Sequence, residues 1–568
     1  MESLDELVEQ RKLAGKNGEI AGSLGKLNGQ KKQTSENEDI SAVRQILPQV
    51  LATTAKNFHL LTLGMMRALP AIVIPVVTNP NNNSTLHLTL EQASWYGGFT
   101  YIFHPVGSLI AGALLQSLGC KKLMILSNIP VLACWVLSYR ASDILDLYFS
   151  GALIGFVCGL LGAPPTRYTS ETVHPSVRSI LTTYSQLFIS FGFFSVYFLS
   201  SLIGWRHVAL ICGIVPIVCT TALFWVPESP MWLMSKGRPE EALKSLQWLR
   251  GWTSAEAIKE EFSKLKIYAK KKEKNERLAG FRQMLKELEE EEGQSLMVAP
   301  WTEKYSGNTT VAHENTGNTQ DIPIDSNLEL EEYSNEKSLR EKLREISRPD
   351  MFVPLCKIML VFTAVCFCSA APMQPFMIKI YDELKLPVQG TTLAAFLSLM
   401  NFCNGILFML IVKKVGKKRL FMICSTFCII CVIVLTVFTR QLLADQENDP
   451  SNESITRWTV LALFITNSCS LSVGVWHIPW ILLGEILPFK GRGIATGIAV
   501  SYHYIFIFIG VKLYPILVEL LNLDGTLLFF AIGSIPCVIA MYFLIPETEG
   551  KFLADIEAEN TQIIKGKA

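Results

Sequence analysis

Twelve runs of predominantly apolar residues govern what this chain can become. They lie near 57–78, 93–116, 123–139, 147–166, 180–203 and 207–226, and after a gap near 352–378, 389–412, 420–438, 457–483, 494–518 and 526–545. A bilayer core is crossed by about 20 apolar residues in helical form. Inside it every backbone polar group must be satisfied within the structure, which leaves helices or a closed barrel. None of the runs alternates as a barrel strand does. The composition agrees: of 568 residues only 18% are charged, where a soluble protein carries about 25%. A formal net charge of +1 leaves no basic footprint for a nucleic acid. The expected fold is an all-α membrane protein with twelve transmembrane helices in two six-helix bundles.

The expected organisation is a polar tail over 1–55, a first bundle over 56–226, a linker over 227–350, a second bundle over 351–545 and a tail over 546–568. The first tail has no short apolar core with a small-residue cleavage site, so the first span is expected to start insertion itself. Basic residues favour the loops on the side of the termini, among them Lys121, Lys122, Lys417, Lys418 and Arg419, which makes that side cytoplasmic. Glycosylation sequons at Asn82, Asn83 and Asn452 then fall in the two longest external loops, whereas the one at Asn308 falls inside. In the linker, Glu240–Arg250 and Ala255–Glu292 read as amphipathic helices, and 293–335 is polar and unpatterned, the composition of a disordered insert. Most of the fourteen cysteines sit in spans, where they act as small apolar residues. No disulfide, metal site or cofactor is expected.

The two halves repeat their punctuation. Gly119-Cys120-Lys121-Lys122 after the second span is matched by Gly416-Lys417-Lys418-Arg419 after the eighth. Glu171 precedes Arg178 by seven residues with Pro175 between, and Glu485 precedes Arg492 by seven with Pro488 between. Pro227-Glu228-Ser229 ends the first half and Pro546-Glu547-Thr548 the second. A tandem repeat of this kind suits a transporter that rocks two bundles about a central site. Carboxylate–guanidinium bonds at one membrane surface can latch such a site, so Glu171, Arg178, Glu228, Glu485, Arg492 and Glu547 are candidates for an inner gate. Solvated loop charges are the alternative.

The motifs resemble those of the sugar porter family of the major facilitator superfamily. Pro227-Glu228-Ser229-Pro230-Met231-Trp232-Leu233, running into Lys236-Gly237-Arg238-Pro239-Glu240-Glu241-Ala242 and Leu249-Arg250-Gly251, is similar to the family's PESPRWL, KGR-x-EEA and LRG. Pro546-Glu547-Thr548-Glu549-Gly550-Lys551 and Pro479-Trp480 leading to Gly484-Glu485 resemble two further family motifs. Tyr168-Thr169-Ser170-Glu171 looks like the variant of facilitated trehalose transporters and their relatives. The resemblance implies sugar-binding roles for Gln186 in span five, Asn401 in span eight and Trp480 in span ten. The family's span-seven QQ-x-SG-x-N is largely lost: Cys366, Phe367 and Pro372 take its polar positions and Ser369 remains. Its span-eleven Asn-Trp appears as His503-Tyr504. The loop after span two lacks the family's acid, and Met231 replaces an Arg, so the inner charge network is thinner.

No Asp or Glu sits at mid-depth in any run, where a proton-coupled porter needs one. The expectation is therefore facilitated, uncoupled transport of a sugar such as trehalose or a hexose. The expected setting is the plasma membrane, the expected form a monomer with both termini cytoplasmic, and neither an enzymatic role nor a nucleic-acid partner is expected. Two alternatives remain: a non-transporting sugar sensor or receptor, and a porter for another small solute, anions included. The second comes from Arg67, about ten residues into span one, where a charge is costly and usually functional; a helix-packing arginine satisfied by carbonyls is the other reading of it.

Overall fold

The computed structural model describes residues 42–80, 86–267, 349–448, 453–487 and 492–548. Among these the chain is helical without strands. The first half contains α1 (Ala42–Val77), α2 (Leu90–Ile102), α3 (His104–Leu118), α4 (Cys120–Arg140), α5 (Ile144–Thr172), α6 (Pro175–Leu202), α7 (Trp205–Cys212) and α8 (Ile214–Phe224). Two short linker helices follow, α9 (Pro230–Ser235) and α10 (Pro239–Leu249). The second half holds α11 (Pro349–Cys368), a 3₁₀ turn Ala371–Phe376, α12 (Met377–Glu383), α13 (Gly390–Val415), α14 (Lys417–Asn448), α15 (Glu453–Ser470), a π turn Leu471–Val475, α16 (Ile478–Ile486) and α17 (Arg492–Leu544).

Eleven stretches are long and apolar enough to cross a membrane, and the last, Ile494–Leu544, runs for 51 residues. A straight helix of that length would measure about 75 Å, more than twice a hydrocarbon core of about 30 Å. The chain breaks at Asn522, whose φ of 57° and ψ of −178° leave the helical region. The stretch is thus two spans, giving the twelve expected. Span one differs from its apolar run, since α1 begins at Ala42, well before residue 57. The extra turns carry Gln49, Thr53 and Lys56, all buried against the bundle; packed polar residues of this kind do not register as hydropathy. Span two is divided at Phe103 between α2 and α3. Pro105 there has no amide to donate and crowds the carbonyl four residues back. The start of α2 is fixed by a capping box, with Gln92 N–H donating to Thr89 Oγ1 at 3.2 Å and Thr89 N–H to Gln92 Oε1 at 2.9 Å.

Close helix crossings rest on glycine. A Cβ on Gly64 of α1 would lie 2.1 Å from the Ile189 carbonyl of α6, and one on Gly192 would lie 2.3 Å from the Leu61 carbonyl. The α3–α5 pair repeats the device: 1.9 Å from Gly107 to the Phe156 oxygen and 2.2 Å from Gly159 to the His104 oxygen. In a bilayer, helices gain little from burying apolar surface and associate through such tight backbone approach. The two six-helix sets meet along two main seams, α6 against α13 and α2 against α17. The amphipathic α10 buries Ala242, Leu246 and Leu249, close to the expected Glu240–Arg250. The second expected linker helix is described only as far as residue 267. The sequons at Asn82, Asn83, Asn308 and Asn452, and the 293–335 insert, lie outside the described residues.

Span seven breaks at Ala370, in the left-handed region with φ 46° and ψ 41°. A left-handed L-residue costs about 1–2 kcal/mol, whereas glycine adopts it freely at some entropic cost in the unfolded chain. Ala370→Gly is therefore expected to raise the thermal unfolding midpoint of the detergent-solubilised protein modestly. A fall in that midpoint would show that the Cβ contributes packing that outweighs the backbone strain.

Candidate functional site

At the terminal side of each half, a half-buried glutamate closes the same loop. Glu228 accepts the Lys121 N–H through Oε1 and Oε2, both at 3.1 Å, and the Ser229 N–H at 2.9 Å. Glu547 accepts the N–H groups of Lys417 at 3.0 Å, Lys418 at 3.2 Å and Thr548 at 3.1 Å. The preceding Gly119 and Gly416 have φ of 85° and 90°, and a Cβ on either would sit 2.8 Å from a carboxylate oxygen of its glutamate. Only glycine tolerates both the positive φ and that approach. Burial pushes the Glu228 carboxyl above its ordinary value, while the backbone N–H donors draw it back.

Beside each of these loops a second acid ends a helix. Glu171 accepts from Arg167 Nε at 2.7 Å and from the Ser229 hydroxyl, and Glu485 pairs with Lys417 Nζ at 2.6 Å. All four carboxylates thus bind partners within their own half. The side chains of Arg178 and Arg492 lie outside the described residues.

On the opposite side the halves are in contact. Lys512 of α17 donates to Ser94 Oγ at 2.9 Å and lies 3.9 Å from the centre of the Trp95 ring, and Trp95 packs on Phe508 with centroids 6.2 Å apart. Deeper in, the Tyr101 hydroxyl donates to Gln374 Oε1 at 3.4 Å. Along α6, Gln186 and Tyr197 are eleven residues apart and so share a stripe. Tyr197 is buried at the closed end, and Gln186, nearer the termini, is exposed. The two halves are therefore in contact on the far side.

At the closed end stands a cluster drawn from both halves. Arg67 of α1 donates to the Tyr504 hydroxyl of α17 and lies 3.2 Å from His104 Nε2. A guanidinium only donates, so Nε2 is the accepting nitrogen and the His104 proton sits on Nδ1, facing Ser108 Oγ at 3.3 Å. Tyr504 stacks on His104 with centroids 3.7 Å apart. Next to it, His503 meets Cys366 Sγ at 3.5 Å and packs against Phe362 at 4.6 Å and Trp480 at 5.8 Å. Trp480 is 38% exposed, so part of its indole is free for a ligand.

The six residues expected to bind solute separate into groups. Trp480, His503 and Tyr504 form a continuous aromatic wall. Gln186 is an exposed residue of α6. Asn401 accepts from Ser468 Oγ at 3.2 Å and so ties α13 to α15, and Asn404 ties α13 to the π turn by donating to Ser472 Oγ at 2.9 Å. Ser369 donates to the Val365 carbonyl of its own helix at 2.6 Å and lines a small cavity inside the second half, with Asn467 and Ser534. Sequence reasoning missed Gln374, a polar residue two places beyond the lost motif, and Tyr101, an aromatic in an apolar run. Gln374 brings back one amide to span seven. The π turn at Leu471–Val475, a feature frequent at functional sites, lies between the asparagine contacts and Trp480.

Three comparisons bear on this arrangement. The chain is 26% identical over 515 residues to the facilitated trehalose transporter Tret1 of Aedes aegypti, covering 90% of this chain and 55% of that protein. It is 24% identical to Tret1 of Polypedilum vanderplanki, covering 88% of it. The chain thus spans about half the length of the first relative and most of the second. It superposes on the inward-open xylose transporter XylE from E. coli with a TM-score of 0.62 at 16% identity, covering 89% of this chain and 98% of that one. At that identity the likeness is one of fold. A sequence profile described as the Major Facilitator Superfamily matches residues 60–511, and the chain belongs to that family.

Proposed function

We propose that this protein is a facilitative sugar porter, carrying a solute of hexose or trehalose size down its gradient by alternating access. The observation that carries the reading is the exposure of the Gln186 side chain on α6 and of 38% of Trp480, one polar and one aromatic group left for a solute. Amides bond sugar hydroxyls, and an aromatic face takes the C–H side of the ring. The named activity of the Tret1 relatives supports it. The acids of the described spans lie at helix ends, which favours uncoupled movement. The proposed setting is the plasma membrane, with cytoplasmic termini, two six-helix domains and a monomeric working unit. Labelled glucose and trehalose uptake into proteoliposomes tests this. Saturable uptake unmoved by an inward proton gradient is expected, and a several-fold rise with that gradient overturns the uncoupled mechanism.

The terminal-side charges are proposed to act as an inner gate. In this structure Glu171 and Glu485 bond within their own halves; when the terminal side closes they are expected to exchange those partners for Arg178 and Arg492 of the other half. Single neutralisation of Glu171 or Glu485 should slow uptake several-fold at equal surface abundance. Unchanged flux in all four variants (Glu171→Gln, Arg178→Gln, Glu485→Gln, Arg492→Gln) contradicts the gate.

A further inference from the structure

Two basic side chains of α1 lie inside the bundle, and among the described residues neither has a carboxylate partner. Arg67 is half-buried, held by the Tyr504 hydroxyl, His104 Nε2 and, alongside, the Cys158 thiol. Each of these groups is neutral. Eleven residues earlier on the same helix, Lys56 is fully buried and donates to Ser185 Oγ at 2.7 Å, the residue next to Gln186. Eleven residues is three helical turns plus about 20°, so the two cations lie on one stripe of α1, about 16 Å apart along its axis.

A buried cation is normally retained with a counter-charge, because taking it from water without one is costly. At this depth an ionisable group is functional by default. Arg67 is held by single bonds to Tyr504 and His104, and its fork has five N–H donors. A carboxylate or phosphate suits the remaining donors and the fork geometry.

We propose that the central site takes an anionic sugar, one that carries a carboxylate or phosphate, with Arg67 as its docking charge. The inference rests on the sugar-porter reading and adds the charge of the substrate to it. Tyr504, His503 and Trp480 pack in series away from Arg67, and the partly exposed Trp480 is the ring proposed to take the sugar while Arg67 takes the anion.

The test is competition binding to the purified full chain in detergent, with labelled glucuronate and, separately, labelled glucose as probes and unlabelled glucuronate, glucose 6-phosphate and glucose as competitors. The anionic competitors are expected to outcompete glucose by about ten- to a hundred-fold, the range of one charge-assisted hydrogen bond set against none. The ratio between glucuronate and glucose 6-phosphate tells carboxylate from phosphate. In Arg67→Gln the anion preference should vanish while glucose is still bound; Arg67→Lys, which keeps the charge, should retain part of it. Size-exclusion profiles establish that each variant is folded. Glucose binding as well as the anions in the wild type overturns the inference and leaves the porter reading standing. A folded wild type that binds none of the three overturns both.

Discussion

Replacing Gly159 with valine is expected to leave little folded protein in the membrane. A single Cβ at this position meets the His104 carbonyl at 2.2 Å and the Ser108 nitrogen at 2.6 Å. Both are backbone atoms, so no rotamer change relieves the clash. The partner Gly107 presents the same geometry in reverse, 1.9 Å from the Phe156 oxygen, so α3 and α5 would have to separate along the crossing. Overpacking a core costs about 1–3 kcal/mol even where side chains can move, and this site has less freedom than that. The consequence reaches the centre of the molecule, because α3 begins with His104, which holds Arg67. Gly162, one turn further along α5, has nothing within 4 Å of a Cβ and provides the control. Gly162→Val should express and run as a monodisperse species, while Gly159→Val should aggregate or fail to reach the surface. Equal behaviour of the two would mean that the crossing is looser than the geometry requires.

The second large effect is expected at Trp480. Its indole packs edge-on against Phe362, with centroids 5.3 Å apart, and against His503, leaving part of its surface exposed. Covering an aromatic face of this size is worth roughly 1.5–3 kcal/mol, about ten- to a hundred-fold in half-saturation. Trp480→Ala should raise the half-saturation concentration for uptake by that factor. Trp480→Phe should recover most of it, since a ring is kept. A purely structural tryptophan would instead lower the amount of protein at the surface and leave half-saturation unchanged.

Much of this architecture was legible from the sequence, for identifiable reasons. The apolar runs located the spans because a lipid environment admits few alternatives for backbone hydrogen bonds. The duplicated loop signals found Glu228 and Glu547, whose matched bonds to the following loops reflect a glycine requirement that sequence displays directly. Helix starts and breaks were harder. The early beginning of α1 is paid for by packing of Gln49, Thr53 and Lys56, which only tertiary contact reveals. The break at Ala370 occupies a position where the sugar porter motif has glycine, so the signal was present but carried by a residue that does not announce it.

The site was legible in part. Trp480, His503 and Tyr504 form one wall, as the resemblance implies for neighbouring positions. Asn401 and Ser369, in contrast, direct their polar atoms to a neighbouring helix and to their own backbone. Spacing along a chain cannot separate an amide that faces a cavity from one that faces a helix a third of a turn away. Arg67 stood out as a lone charge, yet its partner Tyr504 is 437 residues distant, and no local pattern connects the two.

The most direct measurement is uptake of labelled glucose, trehalose and glucuronate by proteoliposomes containing either the wild-type chain or Gln186→Ala, with reconstituted protein quantified in both. Gln186 is exposed, and removing a hydrogen bond from a bound sugar, with its partner left unsatisfied, costs about 1–3 kcal/mol. The account predicts saturable uptake of at least one of these solutes by the wild type, reduced roughly ten-fold or more in the variant at low solute concentration. Uptake that is equal in the two would contradict the placement of the site, and no uptake of any of the three by correctly folded wild-type protein would contradict the porter itself.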